Sequence, residues 1–398
     1  MRIVLICDDY LPDSTRVSAK MMHELACELL RQGHESIVIC PNNGTDVKKI
    51  THLKLDGVDI FKFPNGKVKD TFKFKRAINE SLLSINAWRY LAAEIKNKKI
   101  DGVVYYSPSI FFGPLVKRIK SYWHCKSYLI LRDSFPQWLI DQGIIRSGGF
   151  TDKYFRLFEK INYKSADCIG VMSHKNKELF LKHYPEFSNV CVLYNWTNLK
   201  NSTLTRPSEI LKQQSLTEKI IFFYGGNIGH AQDMSNLMRL ALGMKELDNV
   251  HFLFIGQGDE VELVKNFIKI HSLKNCTYLP SISQQEYLSL LRIVHVGLFS
   301  LAKNHTVHNF PGKLLGYMAN KLPILGSVNA GNDLKQIVEK AHSGYVHING
   351  DDQSLLDSAV ILANDIHIRK KMGENGYALL YERFSVEFAA EHIVLQLQ

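Results

Sequence analysis

Lys313 stands where a helix should begin. It follows Asn309-Phe310-Pro311-Gly312 and precedes Leu314, Leu315 and Met318, which recur at helical spacing. Proline suits a helix entrance, because the N–H it lacks would have no intrahelical partner there. The first-turn N–H groups are unpaired and the helix dipole favours negative charge, so Lys313 adds a full positive charge to an anion seat. The chemistry predicted is phosphate binding. His305, His308 and Asn309 lead into the helix, which should stop at Asn320 because Pro323 follows. Ile324-Leu325-Gly326 then reads as a buried strand, and Asn329-Ala330-Gly331-Asn332-Asp333 as the loop after it. Taken alone, the segment is equally compatible with an ordinary helix-strand unit and a wet loop.

Three further groups of residues could carry chemistry. Gly225-Gly226-Asn227-Ile228-Gly229-His230 follows an apolar run ending at Tyr224. Glycines let a backbone approach a diphosphate, so this is either a phosphate cradle or a tight turn. Arg132-Asp133-Ser134-Phe135-Pro136 follows another apolar run, which makes Asp133 the first choice for a catalytic polar residue; an ion pair with Arg132 is the structural alternative. Asp8 and Asp9 end a strand, where neighbouring side chains point to opposite faces, so they are poor joint ligands for one cation. The seven cysteines show no CxxC and no Cys/His pairing at zinc spacing. They read as buried thiols in a reducing cytoplasm, and no metal or cofactor is expected.

These residues need elements to hold them at strand ends. Residues 2 to 7 form a near-continuous apolar run, as in a strand buried on both faces. Val17, Met21, Met22, Leu25, Ala26 and Leu29 then mark one helical face up to Gly33, and 36 to 40 is a strand again. Apolar runs at 102 to 106, 127 to 131, 167 to 172 and 190 to 193 continue the alternation, giving a doubly wound α/β domain over 1–199. Residues 200–218 are polar and read as a linker. The pattern restarts in 219–383, with strands ending at Gly225 and Gly256 and at Ser300, and helices at 233–245 and 259–271: a second Rossmann-like domain. Residues 384–398 form a helix with one apolar face. Neither a signal peptide nor a membrane span is expected.

The net charge of +10 is uneven. Residues 1–200 carry 31 Lys+Arg against 20 Asp+Glu, and the rest 18 against 19. Lys62 to Arg76 and Lys117 to Trp123 interleave cations with aromatics, which suits an anionic membrane surface or a plain solvated face. No nucleic-acid-binding signature accompanies the charge, so no nucleic acid is expected as a partner.

The order of loop, helix, strand and glycine-containing loop in 304–333 resembles the donor segment of retaining glycosyltransferases of family 4. More narrowly, HNFPGKLLGYMA followed by LPILGSVNAGND resembles the WbuB-type transferases of N-acetyl-L-fucosamine. The resemblance implies the GT-B fold, two Rossmann-like domains facing across a cleft, with 384–398 crossing back to complete the first. It implies a UDP-sugar donor in the second domain and a polyprenyl-diphosphate-linked saccharide acceptor in the first. Retention, metal independence and a cytoplasmic location on the inner face of the cell membrane come with it. Donor contacts then fall to Gly225, Gly226, Asn227, Asn309, Pro311, Gly312, Lys313, Asn332 and Asp333, and acceptor contacts to Tyr10, Ser14, Thr15 and Arg16. Catalysis falls to Asp133, His308 and Lys313. The chain departs from the family pattern in two places. The family's Arg/Lys pair near the diphosphate is Asn227 and Gln232 here, and its two glutamates are His308 and Gly316. Diphosphate neutralisation is therefore expected from Lys313. A UDP-sugar 2-epimerase and a non-catalytic sugar- or lipid-binding subunit are the competing readings.

Overall fold

The computed structural model describes residues 1–398 except Thr15, 43–48, 69–72, Ser134, Gln142, 199–208 and 305–309, and the side chains of Lys73, Phe74, Trp138 and Asp141. The chain forms two units, Met1–Asn198 with Val386–Gln398, and Leu199–Ser385.

The first unit is built on eight strands: β1 (Arg2–Ile6), β2 (Glu35–Asn42), β3 (Thr51–Leu55), β4 (Val58–Pro64), β5 (Gly102–Ser107), β6 (Lys126–Leu131), β7 (Cys168–Val171) and β8 (Val190–Val192). They lie in the order β3-β4-β2-β1-β5-β6-β7-β8. All pairs are parallel except β3 with β4. The parallel core strands are buried on both faces, which is why they read as unbroken apolar runs rather than as alternations. One face packs on Leu83, Leu91, Leu115 and Ile119 from helices Leu83–Asn97 and Gly113–Trp123. The other packs on Met22, Leu25 and Leu29 of helix Val17–Arg31 and on Ala390, Ile393 and Leu397 of helix Val386–Leu397.

The second unit has six parallel strands: β9 (Ile220–Asn227), β10 (Val250–Gln257), β11 (Cys276–Leu279), β12 (Val296–Ser300), β13 (Ile324–Val328) and β14 (Gly344–Ile348), in the order β11-β10-β9-β12-β13-β14. Two doubly wound α/β sheets, as expected, carry the chain.

Several boundaries differ from expectation. The polar connection is not wholly open: Ile210–Gln213 is helical and Ile210, Leu211 and Leu216 are buried in the second unit. Phe384 closes the preceding helix Ile366–Phe384, and the returning helix starts at Val386. β9 runs past its expected end at Gly225, through Gly226 to Asn227, because Gly256 and Gln257 of β10 continue the ladder beside them. Among the described residues, no helix is long and apolar enough to cross a membrane.

Candidate active site

In the second unit, the Gly312–Ala319 helix enters from Pro311, which occupies its N-cap position and offers no side-chain acceptor to the first-turn N–H groups. Leu314, Leu315, Tyr317 and Met318 anchor this helix on the sheet. The Tyr317 hydroxyl donates to the Leu298 carbonyl at 3.0 Å and accepts from the Gly225 N–H at 3.4 Å, tying the helix to both β12 and β9. That anchoring fixes Lys313. Its Nζ lies 3.4 Å from the centre of the Tyr224 ring, sealed from solvent and without a hydrogen-bond partner among the described residues. Burial lowers its pKa from the ordinary 10.5 to about 7. A Cβ built on Gly226 would stand 3.8 Å from Lys313 Nζ, and the backbone there has φ +123°. Glycine thus leaves the ammonium a bare strand end to face.

The helix after β9 behaves differently. Its first-turn Met234 N–H donates to the Glu260 carboxylate at 2.8 Å, so a protein anion already fills that N-terminus. Glu260 also holds His230 Nδ1 at 3.0 Å and raises the histidine's pKa. The phosphate cradle expected at 225–230 is therefore not seated on that helix. Asn227 and Gln232, which stand where the resemblance puts Arg and Lys, bond to each other, Nδ2 donating to Oε1 at 2.7 Å. At Gly316, where the resemblance puts a glutamate, a Cβ would sit 3.3 Å from Leu291 Cδ1, so a side chain there needs that leucine to give by a few tenths of an ångström.

Asn332 is buried, and its side chain donates to Asn329 Oδ1 at 2.9 Å and accepts from the Leu334 N–H at 3.0 Å. It braces the loop in this way, and one amide N–H and one oxygen lone pair are left over. Asp333 caps the Leu334–Lys340 helix position without a side-chain cap bond and is half-buried. His305, His308 and Asn309 lie outside the described residues.

In the first unit, Asp133 and Arg16 line an open pocket of about 330 Å³ together with Asp8, Arg76, Tyr106 and Arg132. Arg132 and Asp133 were expected to pair as the structural alternative. Instead the Arg132 guanidinium donates to the carbonyls of Leu131, Gly170 and Tyr194 at 3.2, 3.3 and 3.2 Å, and lies 5.7 Å from the Trp196 ring. Burial lowers its pKa to about 10. Arg132 thus braces β6, β7 and the segment after β8.

Tyr10 is buried, with its hydroxyl 2.9 Å from His23 Nδ1, so its side chain packs in the core. Ser14 donates to Asp9 Oδ2 at 2.6 Å, and Arg16 pairs with the same carboxylate at 3.6 Å. Both shape the loop, although Arg16 is half-exposed toward the pocket. Thr15 lies outside the described residues. Of the basic stretch, Lys62 is buried on β4 and bonds Asp13 at 2.7 Å. Arg118 and Lys96 both stack on Trp88.

Sequence families match each unit separately. Residues 18–201 match Glycosyltransferase Family 4, and residues 206–379 match Glycosyl transferases group 1. The chain is 22% identical over 290 residues to the probable glycosyltransferase WbjE of Pseudomonas aeruginosa, covering 70% of this chain and 71% of that protein. It is 20% identical over 353 residues to the putative colanic acid biosynthesis glycosyl transferase WcaI of Escherichia coli K12, covering 85% and 86%. Among solved structures, HepE of Anabaena in complex with UDP superposes with a TM-score of 0.68 at 13% identity, over 100% of this chain and 99% of that one. Such likeness shows the fold, which is GT-B.

Proposed function

Since the chain carries glycosyltransferase domains in both units, we propose that it transfers a sugar from a UDP-sugar, held by the second unit, to a polyprenyl-diphosphate-linked saccharide, held by the first. N-acetyl-L-fucosamine is the sugar that the 304–333 resemblance favours. The product would be a repeat unit of a bacterial surface polysaccharide, in keeping with the colanic acid biosynthesis in the name of WcaI. UDP as the nucleotide is supported by the UDP complex of HepE.

The observation that carries this reading is Lys313. A sealed ammonium with no protein partner among the described residues, at an uncapped helix N-terminus and beside bare Gly226, suits a diphosphate. In the reaction, the departing diphosphate oxygen accepts the acceptor's proton on the sugar face it leaves, so configuration is retained. Lys313 and the first-turn N–H groups of the Gly312–Ala319 helix stabilise the charge that develops on that oxygen. This role would otherwise fall to a divalent ion, and the reaction is proposed to run without one. His308 and Asp133 are proposed to contact the donor sugar, and Gly225, Gly226, Asn227, Asn309, Pro311, Gly312 and Asp333 the donor. Arg16 is proposed for the acceptor phosphate.

The deciding assay supplies UDP-sugars with and without a lipid-linked saccharide and identifies the products. Turnover that requires the acceptor, with a lengthened saccharide, is expected. Turnover of the donor alone would favour the 2-epimerase, and UDP-sugar binding without turnover the binding subunit. The basic first unit is proposed to rest on the anionic inner leaflet, where each near-surface Lys or Arg contributes about 1 kcal/mol. Flotation with anionic liposomes should weaken on neutralising Lys69, Lys73, Lys75 and Arg76; unchanged flotation leaves only a solvated face.

A further inference from the structure

We propose that His23, Cys27 and Asp56 form a site for a divalent transition-metal ion of borderline softness, zinc(II) above all. His23 and Cys27 lie one turn apart on the Val17–Arg31 helix, so their side chains share a face. Asp56 arrives from the turn between β3 and β4, where it holds a left-handed backbone with φ +49°. His23 Nε2 is 2.9 Å from Asp56 Oδ2 and 3.5 Å from Cys27 Sγ, and all three ligand atoms lie within 4.8 Å of one another. Bonds of roughly 2.0–2.3 Å to one zinc ion require ligand atoms about 3.3–3.6 Å apart; the sulfur stands at that distance from Nε2, and the carboxylate, 0.4 Å closer than the lower bound, has only to swing outward on its exposed turn.

The surroundings favour metal over a mere ion pair. The Tyr10 hydroxyl, buried, meets His23 Nδ1 at 2.9 Å and so turns Nε2 toward the sulfur and the carboxylate. Such an outer partner is what orients a metal-binding imidazole. The His23 side chain is 9% exposed and that of Asp56 71%, so an ion would enter past the carboxylate and finish beside the helix. One nitrogen, one sulfur and one oxygen exclude magnesium and calcium, which take oxygen ligands. Three protein ligands leave a fourth position for water or an exchangeable ligand. The other sulfur-rich cluster, Cys191 Sγ with Cys168 Sγ and His392 Nε2 each at 3.3 Å, does not converge in this way. Its members serve as the internal control. An ion at His23 would tie the β3–β4 turn to the helix that follows the Arg16 loop.

The test uses the full-length, tag-free, reduced protein, freed of metal and titrated with zinc(II), with cobalt(II) as the spectroscopic probe. One ion per chain is expected. Cobalt should give a sulfur-to-metal charge-transfer band that Cys27→Ser removes and Cys191→Ser keeps. Asp56→Asn, which suits the left-handed turn, should weaken binding roughly ten-fold or more, and Tyr10→Phe about ten-fold. The proposal is overturned if less than one ion binds per chain. It is equally overturned if Cys27→Ser and Asp56→Asn bind like the parent, or if the band is lost with Cys191→Ser instead.

Discussion

The loop that follows β1 and the helix entrance at Pro311 both gather charge at the start of a helix, and they satisfy it in opposite ways. In the first, Asp9 takes the Ser14 hydroxyl and the Arg16 guanidinium, Asp13 takes Lys62, and Tyr10 meets His23. The charges answer one another, as a scaffold requires. In the second, Lys313 Nζ is sealed against the Tyr224 ring with no answering group among the described residues. A buried cation in that state is costly to the free protein, and the cost is relieved either by loss of its proton or by the arrival of an anion.

The largest expected break of this contrast is Lys313→Ala. UDP titration should give no heat, and kcat/KM for transfer should fall about 10²- to 10³-fold, whereas Arg16→Ala should leave the UDP isotherm intact. Equal losses in the two variants would erase the distinction. Next in size is an effect of pH. The folded pKa of Lys313 is about 7 and that of the unfolded chain near the ordinary 10.5, so between these values the unfolded chain binds the extra proton. Stability of the nucleotide-free protein should therefore rise with pH through that window and be least below it. Urea midpoints at pH 7, 8 and 9 should show the rise, and Lys313→Met should flatten it. By the same sign, UDP binding at pH 8 should take up protons, seen as a heat that changes with the buffer's ionisation enthalpy.

Smaller effects test the scaffold side. Arg132→Ala frees the carbonyls of Leu131 in β6, Gly170 in β7 and Tyr194 just after β8, and should destabilise the first unit by about 2–3 kcal/mol, read from denaturant midpoints. Ser14→Ala removes one bond to a carboxylate and should cost about 1–2 kcal/mol. Arg16→Ala, with a half-exposed ion pair, should cost less than about 1 kcal/mol and raise KM for the acceptor if Arg16 binds its phosphate.

The doubly wound sheets were legible because strands buried on both faces leave unbroken apolar runs such as Arg2–Ile6 and Val250–Gln257. The β3–β4 pair was not, since Thr51–Leu55 is an edge strand, mostly exposed and only weakly patterned. Lys313 could be placed at a helix start from Pro311 and the spacing of Leu314 and Met318. Its isolation from every described partner could not, because that depends on Tyr224 and Gly226 of a distant strand. The strand reads as stopping at Gly225 because a run of glycines signals a turn, while the pairing of β10 beside Gly226 and Asn227 overrides that signal. Tyr10 and Asn332 read as ligand contacts from their loops, and each also finds a partner within the fold. The spacing of cysteines hid His23 and Cys27, whose third companion comes from a turn of another element.

The first unit is interrupted: the helix Val386–Leu397 that covers Ile3, Leu5 and Tyr128 is separated from the rest of that unit by the 187 residues Leu199–Ser385. During synthesis the amino-terminal sheet therefore leaves the ribosome with one apolar face covered only in part, by the Val17–Arg31 helix, and the second unit can finish folding before the first. A nascent chain stalled before Val386 should be bound by chaperones through that face, and release should follow once Leu397 has emerged.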